Sequence, residues 1–314
     1  MKYSNIALKI TAAKECGIIK SNAQFWKEFK DIELFEEKIK KNSYFNHTLE
    51  KTAKEFDIYG NDFGIVCLFD DEFPAINKNV KNNGDKPYLL FYRGCLPLLN
   101  DLNKNVAVIG LLDPDNEITE RETYIIKELV KNEMIIVSGL AKGCDTIAHK
   151  ICLDEYGKTI AVLPSNIKKI YPAENNDLAE KIINEGGLLL SEYYKEPESR
   201  NESINRFIER DRLQAMFSKA VILIASYNKG EGDSGSRHAM ESARKYGIER
   251  YVMYNKENDE NDKRFGLNKR LINDNPNNNI KILYKKNISD IKMLQNMNFI
   301  KWNHTNAAQK TFNY

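Results

Sequence analysis

Two glycine-rich segments contain the residue types that hold phosphate groups in proteins. The first is Ser138-Gly139-Leu140-Ala141-Lys142-Gly143-Cys144-Asp145, which follows the apolar run 134–137. Glycines let the main chain approach an anion, amide N–H groups at a helix N-terminus point at it, and Lys142 adds a positive charge. The pattern indicates a phosphate-binding turn, with Asp145 capping the next helix. A turn that only connects a strand to a helix is the alternative, because glycine turns are common in α/β domains.

The second segment, Gly230-Glu231-Gly232-Asp233-Ser234-Gly235-Ser236, follows the apolar run 220–225 and precedes another predicted helix. Gly110 ends a further apolar run, 106–109. The carboxyl ends of parallel strands meet at one edge of a sheet, and ligands bind there. We therefore expect Gly110, Ser138, Gly139, Gly143, Ser234, Gly235 and Ser236 to face one anion-binding crevice.

Three arginines on one predicted helix could supply further positive charge to this crevice. Arg206 and Arg210 are four residues apart and share a helix face, whereas Arg212 points to another side. Phosphate binding is one interpretation of these arginines. Ion pairing is the other interpretation, and the residue spacing fits both equally well. The acidic neighbours available for such pairs are Glu202, Glu209 and Asp211.

The elements that position these residues alternate between strands and helices from residue 105 onward. Such alternation forces parallel strand pairing with helices on both faces, so we predict an α/β fold, an extended Rossmann-like doubly wound parallel sheet. Residues 1–60 have helical spacing of apolar residues and predict a small N-terminal helical domain. We predict a Rossmann-like domain over 61–285 and a short C-terminal extension over 286–314.

Composition excludes several classes of protein. The 314 residues include no apolar run long enough for a membrane span and no signal-type segment, which predicts a cytoplasmic location. Five scattered cysteines and four distant histidines predict neither a disulfide framework nor a metal site. The net charge is only +2, so any polyanion must be held by a local patch rather than by a bulk field.

Several motifs, in order, resemble those of the DprA/Smf family, the DNA-processing proteins of bacterial transformation. The segment 138–145 with His149 is similar to the family's S-G-x-A-x-G-x-D-x-x-x-H element. The other similar blocks are Phe69–Pro74, Leu90–Gly94, Gly157–Leu163 with Tyr171, Pro172 and Asn175, Leu189–Glu192, Phe207 with Arg210–Leu213 and Ser218, Asp233–Ser236 with Ala239 and Ala243, and Gly266 with Asn268, Leu271 and Ile272.

The resemblance covers about residues 60–275 and implies a function without covalent chemistry or a cofactor. It implies an extended Rossmann fold, cooperative binding of single-stranded DNA, homodimerisation, and loading of the RecA recombinase during natural transformation or recombination. Binding of a phosphate backbone asks for a positive groove, which the two turns, Lys142 and the arginines could line.

The sequence departs from the family pattern in two places near the predicted crevice. The family usually has Gly-Ser-Arg after the first strand of this sheet, whereas this chain has Gly110-Leu111-Leu112. It also has Arg210-Asp211-Arg212 in place of Arg-Asn-Arg, which adds a carboxylate that repels phosphate unless an arginine neutralises it. Weaker DNA affinity or a different ligand would follow. From the sequence we expect no winged-helix domain of the kind that many members carry at the C-terminus.

Two other classes of function remain open. A nucleotide-binding sensor or nucleotide hydrolase could use the same turns, but the glutamate of the lysine decarboxylase-like phosphoribohydrolases is replaced by Ala239, and Glu241 comes two residues late. A structural protein that recruits a partner through its terminal segments is the third class. The loss of serine and arginine at positions 111 and 112 supports it.

Overall fold

The structure is a computed structural model that divides into two compact units. One comprises Met1–Asn100 with Asn298–Tyr314, and the other comprises Asp101–Met297. The residues that it describes are 2–58, 63–232, 235–274, 279–283 and, for the backbone alone, 299–300. The predicted domain limits at residues 60 and 285 stay a prediction. The predicted C-terminal extension lies outside the described residues apart from 299–300.

The first unit contains the N-terminal helices that the apolar spacing predicts. The Ser4 hydroxyl accepts a hydrogen bond from the Ala7 N–H and caps the first helix. Phe25, Phe29 and Phe35 are almost fully buried and form much of the apolar core of this unit. The helices are α1 (Asn5–Glu15), α2 (Asn22–Glu28), α3 (Ile32–Lys40) and α4 (Phe45–Asp57).

Short strands complete the first unit. Strand β1 (Phe63–Cys67) pairs antiparallel with β3 (Leu89–Gly94). Strand β2 (Ile76–Asn77) pairs antiparallel with β11 (Phe299–Ile300).

The second unit contains a parallel sheet whose strands are mostly buried apolar runs. Such runs are typical of sheets covered by helices on both faces. Along the sheet the order is β7-β6-β5-β4-β8-β9-β10, and each of these neighbours pairs in parallel. The strands are β4 (Asn105–Ile109), β5 (Ile135–Ser138), β6 (Thr159–Leu163), β7 (Leu188–Ser191), β8 (Ala220–Leu223), β9 (Glu249–Met253) and β10 (Ile280–Leu283).

The strand order reverses between β4 and β8, which confirms the predicted doubly wound fold. From β4 the chain builds outward to β7, and it then returns to add β8 on the other side of β4. Right-handed crossovers place the three helices that connect β4 to β7 on one face of the sheet. The two helices that follow β7 and β8 lie on the opposite face. The helices are α5 (Asn116–Lys131), α6 (Cys144–Asp154), α7 (Asn176–Asn184), α8 (Arg200–Met216), α9 (Ser236–Tyr246), α10 (Lys256–Asp259) and α11 (Gly266–Asn273).

The structure differs from the predicted elements at three places. Residues 193–204 are polar and include Pro197, which predicts a loop, yet helix α8 already begins at Arg200. The Ser199 hydroxyl caps this helix by accepting a hydrogen bond from the Glu202 N–H. The apolar pattern predicts that residues 250–254 form the last strand of the sheet, whereas strand β10 pairs with β9 and extends the sheet further. The segment 256–262 is charged and rich in asparagine, which predicts mobile surface, yet it contains helix α10.

The described residues contain neither a membrane-spanning helix nor a cluster of metal-ligand side chains. No helix among them is long and apolar enough to cross a membrane. No group of three or more His, Cys, Asp or Glu side chains in the same part of the chain could hold a metal ion.

Candidate functional site

Both glycine-rich turns contact the segment that follows β4. The Cys144 N–H, at the end of the first turn, donates to the Leu111 carbonyl at 2.9 Å. The Ser236 hydroxyl, at the end of the second turn, donates to the Gly110 carbonyl at 3.3 Å. The two turns therefore meet at the carboxyl ends of β4 and β8, where the strand order reverses and ligands bind in folds of this kind.

A cavity of about 30 Å³ lies where the turns meet. Its lining includes Gly110, Asp145, Arg210, Asp211 and Ser236. The space accommodates about one water molecule. Among the described residues, which omit 233 and 234 of the second turn, the crevice therefore has no internal pocket for a nucleotide, and a larger ligand would have to lie across its mouth.

The main-chain amides of the first turn hold a carboxylate of the protein itself. One oxygen of Asp145 accepts from the Gly139 N–H at 3.1 Å and from the Ala141 N–H at 3.3 Å. Asp145 is buried. It occupies the position that the sequence suggested for a phosphate, so these two amides are already engaged.

Glycine is required at two positions of this turn for separate reasons. A Cβ atom at Gly139 would lie 1.1 Å from Nη1 of Arg210. Gly143 has a φ of +69°, and a Cβ atom there would lie 2.3 Å from the Leu111 carbonyl oxygen. The first glycine therefore admits the arginine, and the second lets the turn pack against the segment after β4.

Arg210 is surrounded by acidic groups. Its guanidinium lies 3.6 Å from Asp145 and 3.2 Å from Asp211, and all three side chains are nearly buried. Burial raises the pKa of Asp211 from 3.8 to about 7, an effect that Arg210 opposes and Asp145 reinforces. The positive charge of Arg210 is therefore largely neutralised inside the protein.

Glu122 adds a further buried acid beneath the turn. It is fully buried, and neither of its carboxyl oxygens has a hydrogen-bonding oxygen or nitrogen partner among the described residues. Burial raises the pKa of Glu122 well above its usual value, and the neighbouring Asp145 adds to this effect. Burial therefore favours the neutral, protonated form of Glu122.

The other two predicted arginines form ion pairs away from the small cavity. Arg206 lies 2.6 Å from Glu202 and stacks over the Tyr193 ring at 4.1 Å. Arg212 binds Glu192 through both of its terminal nitrogens, at 2.7 and 2.8 Å. Both arginines are buried. Arg206 pairs with Glu202, one of the acidic neighbours that the sequence indicated, whereas the partner of Arg212 is Glu192, which was not among them.

The remaining predicted residues divide into buried and exposed groups. The Ser138 hydroxyl is buried and donates to the Val108 carbonyl at 2.7 Å, so it joins neighbouring strands. Lys142 is 55% exposed and pairs with Glu174 at 2.7 Å. Gly235 has a φ of +83° and directly precedes α9. The predicted residue Ser234 lies outside the described residues.

Asn175 and Thr146 fix the first turn, although the spacing assigned them no role there. The Asn175 amide donates to the Leu140 carbonyl at 2.8 Å and to the Thr146 hydroxyl at 2.9 Å. That hydroxyl in turn donates to the Ala141 carbonyl at 2.6 Å. Asn175 belongs to a motif of the family resemblance, and that motif was the only sequence signal that pointed to it.

The geometry gives no support to a hydrolytic glutamate. Ala239, which stands at the position of the phosphoribohydrolase glutamate in the sequence motif, lines the small cavity. Glu241 instead pairs with Arg244 at 2.7 Å on the outer side of α9.

Comparison with known proteins identifies the family. The sequence model of the DNA recombination-mediator protein A family matches residues 64–282. The chain belongs to this family. Among curated family members, it is 38% identical to DNA processing protein DprA of Streptococcus pneumoniae over 150 residues, which is 48% of this chain and 49% of that protein. It is 35% identical to Protein Smf of Synechocystis over 174 residues, or 55% of this chain and 42% of that protein. The chain thus matches less than half the length of these relatives.

Two solved structures of DNA processing protein A resemble this DprA-family fold. The S. pneumoniae structure covers 90% of this chain and 95% of its own chain, with a TM-score of 0.68 and 26% identity. The Helicobacter pylori structure covers 73% of this chain and 94% of its own, with a TM-score of 0.58 and 27% identity. The latter describes a single-stranded DNA binding mode of the H. pylori protein.

Proposed function

We propose that this DprA-family chain binds single-stranded DNA and serves as a recombination mediator without catalysing a reaction. Membership of the recombination-mediator family is the observation that carries the proposal. The DNA binding mode described for the H. pylori relative supports the choice of a single strand as ligand. By the same resemblance, the proposal includes a homodimer, RecA as partner, a cytoplasmic location and a role in natural transformation or recombination.

The proposed path of the strand runs over the mouth of the crevice rather than into it. Asp145 occupies the amides of the first turn, and Arg210 is paired internally. The groups left at the mouth are Lys142, which is half-exposed, and the N-terminus of α9 after Gly235. A lysine can exchange a surface carboxylate for a phosphate at small cost, because exposed ion pairs contribute little.

A titration with labelled oligothymidine tests the proposed site through a matched pair of variants. Lys142→Glu should weaken binding by about tenfold, since it replaces a phosphate contact with a repulsion worth about 1.4 kcal/mol. Lys127→Glu is the control, because Lys127 is also half-exposed and also pairs with a glutamate at 2.7 Å. Lys127 lies near the C-terminal end of α5, at the opposite edge of the sheet.

The two variants carry the same change in net charge, so a difference between them reports position alone. Equal affinities of Lys142→Glu and Lys127→Glu would place the DNA elsewhere on the protein. Absence of binding by the unmodified chain at low salt, where phosphate contacts are strongest, would contradict the proposed function itself.

A further inference from the structure

Three lysines of the first unit lie close enough together for their charges to interact. Lys86 ends the turn 82–86, Lys81 directly precedes this turn, and Lys30 lies two residues after the end of α2. Lys30 and Lys81 are exposed, and Lys86 is half-buried. We call these three residues the lysine patch.

Hydrogen bonds to its main chain fix the turn 82–86 against α2. Trp26 Nε1 donates to the Lys86 carbonyl at 2.9 Å, and the Asn22 amide donates to the Gly84 carbonyl at 3.4 Å. The Lys86 ammonium lies 5.2 Å from the centre of the Trp26 ring and donates to the Asn83 side chain at 3.1 Å. Neutral groups of the fold therefore set the position of Lys86.

The charges that surround Lys86 in the patch have the same sign as its own. Burial lowers the pKa of Lys86, and the positive charges of Lys81 and Lys30 lower it further. Within the part of the chain that the structure describes, none of the three ammonium groups forms an ion pair with a carboxylate. Because like charges repel, an anion that bound between these lysines would stabilise the patch.

The acidic residues nearest to the patch in the sequence have other hydrogen-bond donors. Asp31 caps α3 by accepting from two N–H groups at the start of that helix, at 2.9 and 3.3 Å. Glu28 accepts from a glutamine of α2 at 3.2 Å. Asp85 accepts from the Asn82 amide at 3.2 Å. Positive charge therefore predominates at the lysine patch.

The composition of the patch suits a phosphodiester backbone better than a protein surface. Ammonium groups on flexible stems bind phosphates as point charges and require no single geometry. A protein interface instead needs an apolar or aromatic centre that becomes buried. The residues between Lys81 and Lys86 are Asn-Asn-Gly-Asp, and the Trp26 side chain is only 3% exposed. The turn and the adjoining tryptophan therefore offer no such centre.

We propose that the lysine patch binds the phosphodiester backbone of the single-stranded DNA that the second unit holds. This inference rests on the proposed function and extends it to the first unit. The second unit contributes Lys142 and the N-terminus of α9 at the mouth of the crevice. The patch adds three cations to these contacts, so its loss should weaken binding without abolishing it.

Titration with a labelled oligothymidine of about 30 nucleotides, roughly twice the largest single-domain site, tests the inference. The patch variant combines Lys30→Gln with Lys81→Gln, and it leaves the contact of Lys86 with Trp26 in place. Each lost phosphate contact should lower affinity about fivefold at about 0.1 M salt, because the slope of log affinity against log salt changes by about 0.7. The patch variant should therefore bind about 25-fold more weakly, with a slope shallower by about 1.4.

The control variant combines Lys40→Gln with Lys41→Gln. Both are exposed lysines of the same unit, at the C-terminal end of α3. Helix α3 starts two residues after Lys30 and has nine residues, so it is about 13 Å long. The control thus removes the same charge from a position more than a Debye length of about 8 Å away. It should bind the oligomer within about twofold of the unmodified chain.

The other outcomes overturn the inference, and they do so in distinguishable ways. Equal losses for the patch and control variants would report net charge alone. If both variants bind like the unmodified chain while Lys142→Glu binds weakly, DNA contacts only the crevice, and the proposed function stands without the patch. If the patch variant keeps its DNA affinity but loses binding of a polyglutamate peptide, the patch accepts an acidic protein. If the unmodified chain fails to bind the oligomer at low salt, the proposed function itself is wrong.

Discussion

The carboxylate of Asp145 fills the anion-binding position of the turn to which it belongs. It joins the amides of Gly139 and Ala141 to the guanidinium of Arg210. We expect Asp145→Ala to lower the free energy of unfolding by about 3 kcal/mol, because it leaves a buried arginine with one partner fewer. Urea unfolding followed by circular dichroism measures this change.

Glu155→Ala provides the comparison for Asp145→Ala. Glu155 also pairs with a cation, Lys127, but both side chains are well exposed. Its loss should change the free energy of unfolding by less than about 1 kcal/mol. Similar losses for the two variants would mean that Asp145 contributes no more than a surface pair.

Asp211 predicts a dependence of stability on pH. Burial raises its pKa to about 7 in the folded chain, from 3.8 for the free side chain. The folded state therefore keeps a proton that the unfolded state releases, so stability from this group is full below about pH 4 and is lost as the pH rises through about 7. Asp211→Asn, which restores the usual family residue, should remove this loss.

Unfolding free energies measured between pH 4 and pH 8 test the prediction for Asp211. The stability of Asp211→Asn relative to the unmodified chain should increase by about 4 kcal/mol over that range. Asp113→Asn, at an exposed position, should run parallel to the unmodified chain. A constant difference between Asp211→Asn and the unmodified chain would show that Asp211 titrates normally.

The conformation of the first glycine-rich turn depends on the close contact of Gly143 with the segment after β4. Gly143→Ala combines a positive φ with a Cβ atom 2.3 Å from a carbonyl oxygen. We expect it to destabilise the chain by about 3 kcal/mol or more, measured by urea unfolding. Gly230 has a φ of +85° and open space around it, so Gly230→Ala should cost only about 1 kcal/mol. Equal costs would mean that the backbone angle alone matters.

Most strands could be predicted from the sequence, because buried parallel strands appear as short apolar runs bounded by glycine. Strand β10 was missed since its Ile-Lys-Ile-Leu pattern is short and follows an asparagine-rich segment. The start of α8 was missed because Pro197 and polar residues suggested a loop. Both errors concern elements with weak local signals.

The candidate site was harder to predict, because spacing brings residues together without identifying their partners. The sequence indicates amides and an aspartate in one turn, yet only coordinates show that the aspartate fills the amides. Arg212 likewise acquires its role from Glu192, whereas the pair of Arg206 with Glu202 has helical spacing and was among the predicted alternatives. Glu192 lies 20 positions before Arg212, so no helical spacing connects them.

The charge balance of the whole molecule predicts how DNA associates. The chain has 47 basic and 45 acidic residues, which leaves little net field beyond the Debye length of about 8 Å. Association should therefore proceed at about 10⁵–10⁷ M⁻¹s⁻¹ with little salt dependence, whereas dissociation should accelerate strongly as salt rises. Stopped-flow fluorescence separates the two rates. An association rate that falls steeply with salt would instead indicate long-range steering.

The carboxylate within the first turn has a consequence for small metabolites. Because Asp145 is tethered, it competes for the Gly139 and Ala141 amides at an effective concentration in the millimolar range or higher. Inorganic phosphate and free mononucleotides must displace it in a single encounter and would gain little by doing so. A polymer can leave Asp145 in place and accumulate many weak contacts around it, so the turn selects for chain length rather than for a phosphate group.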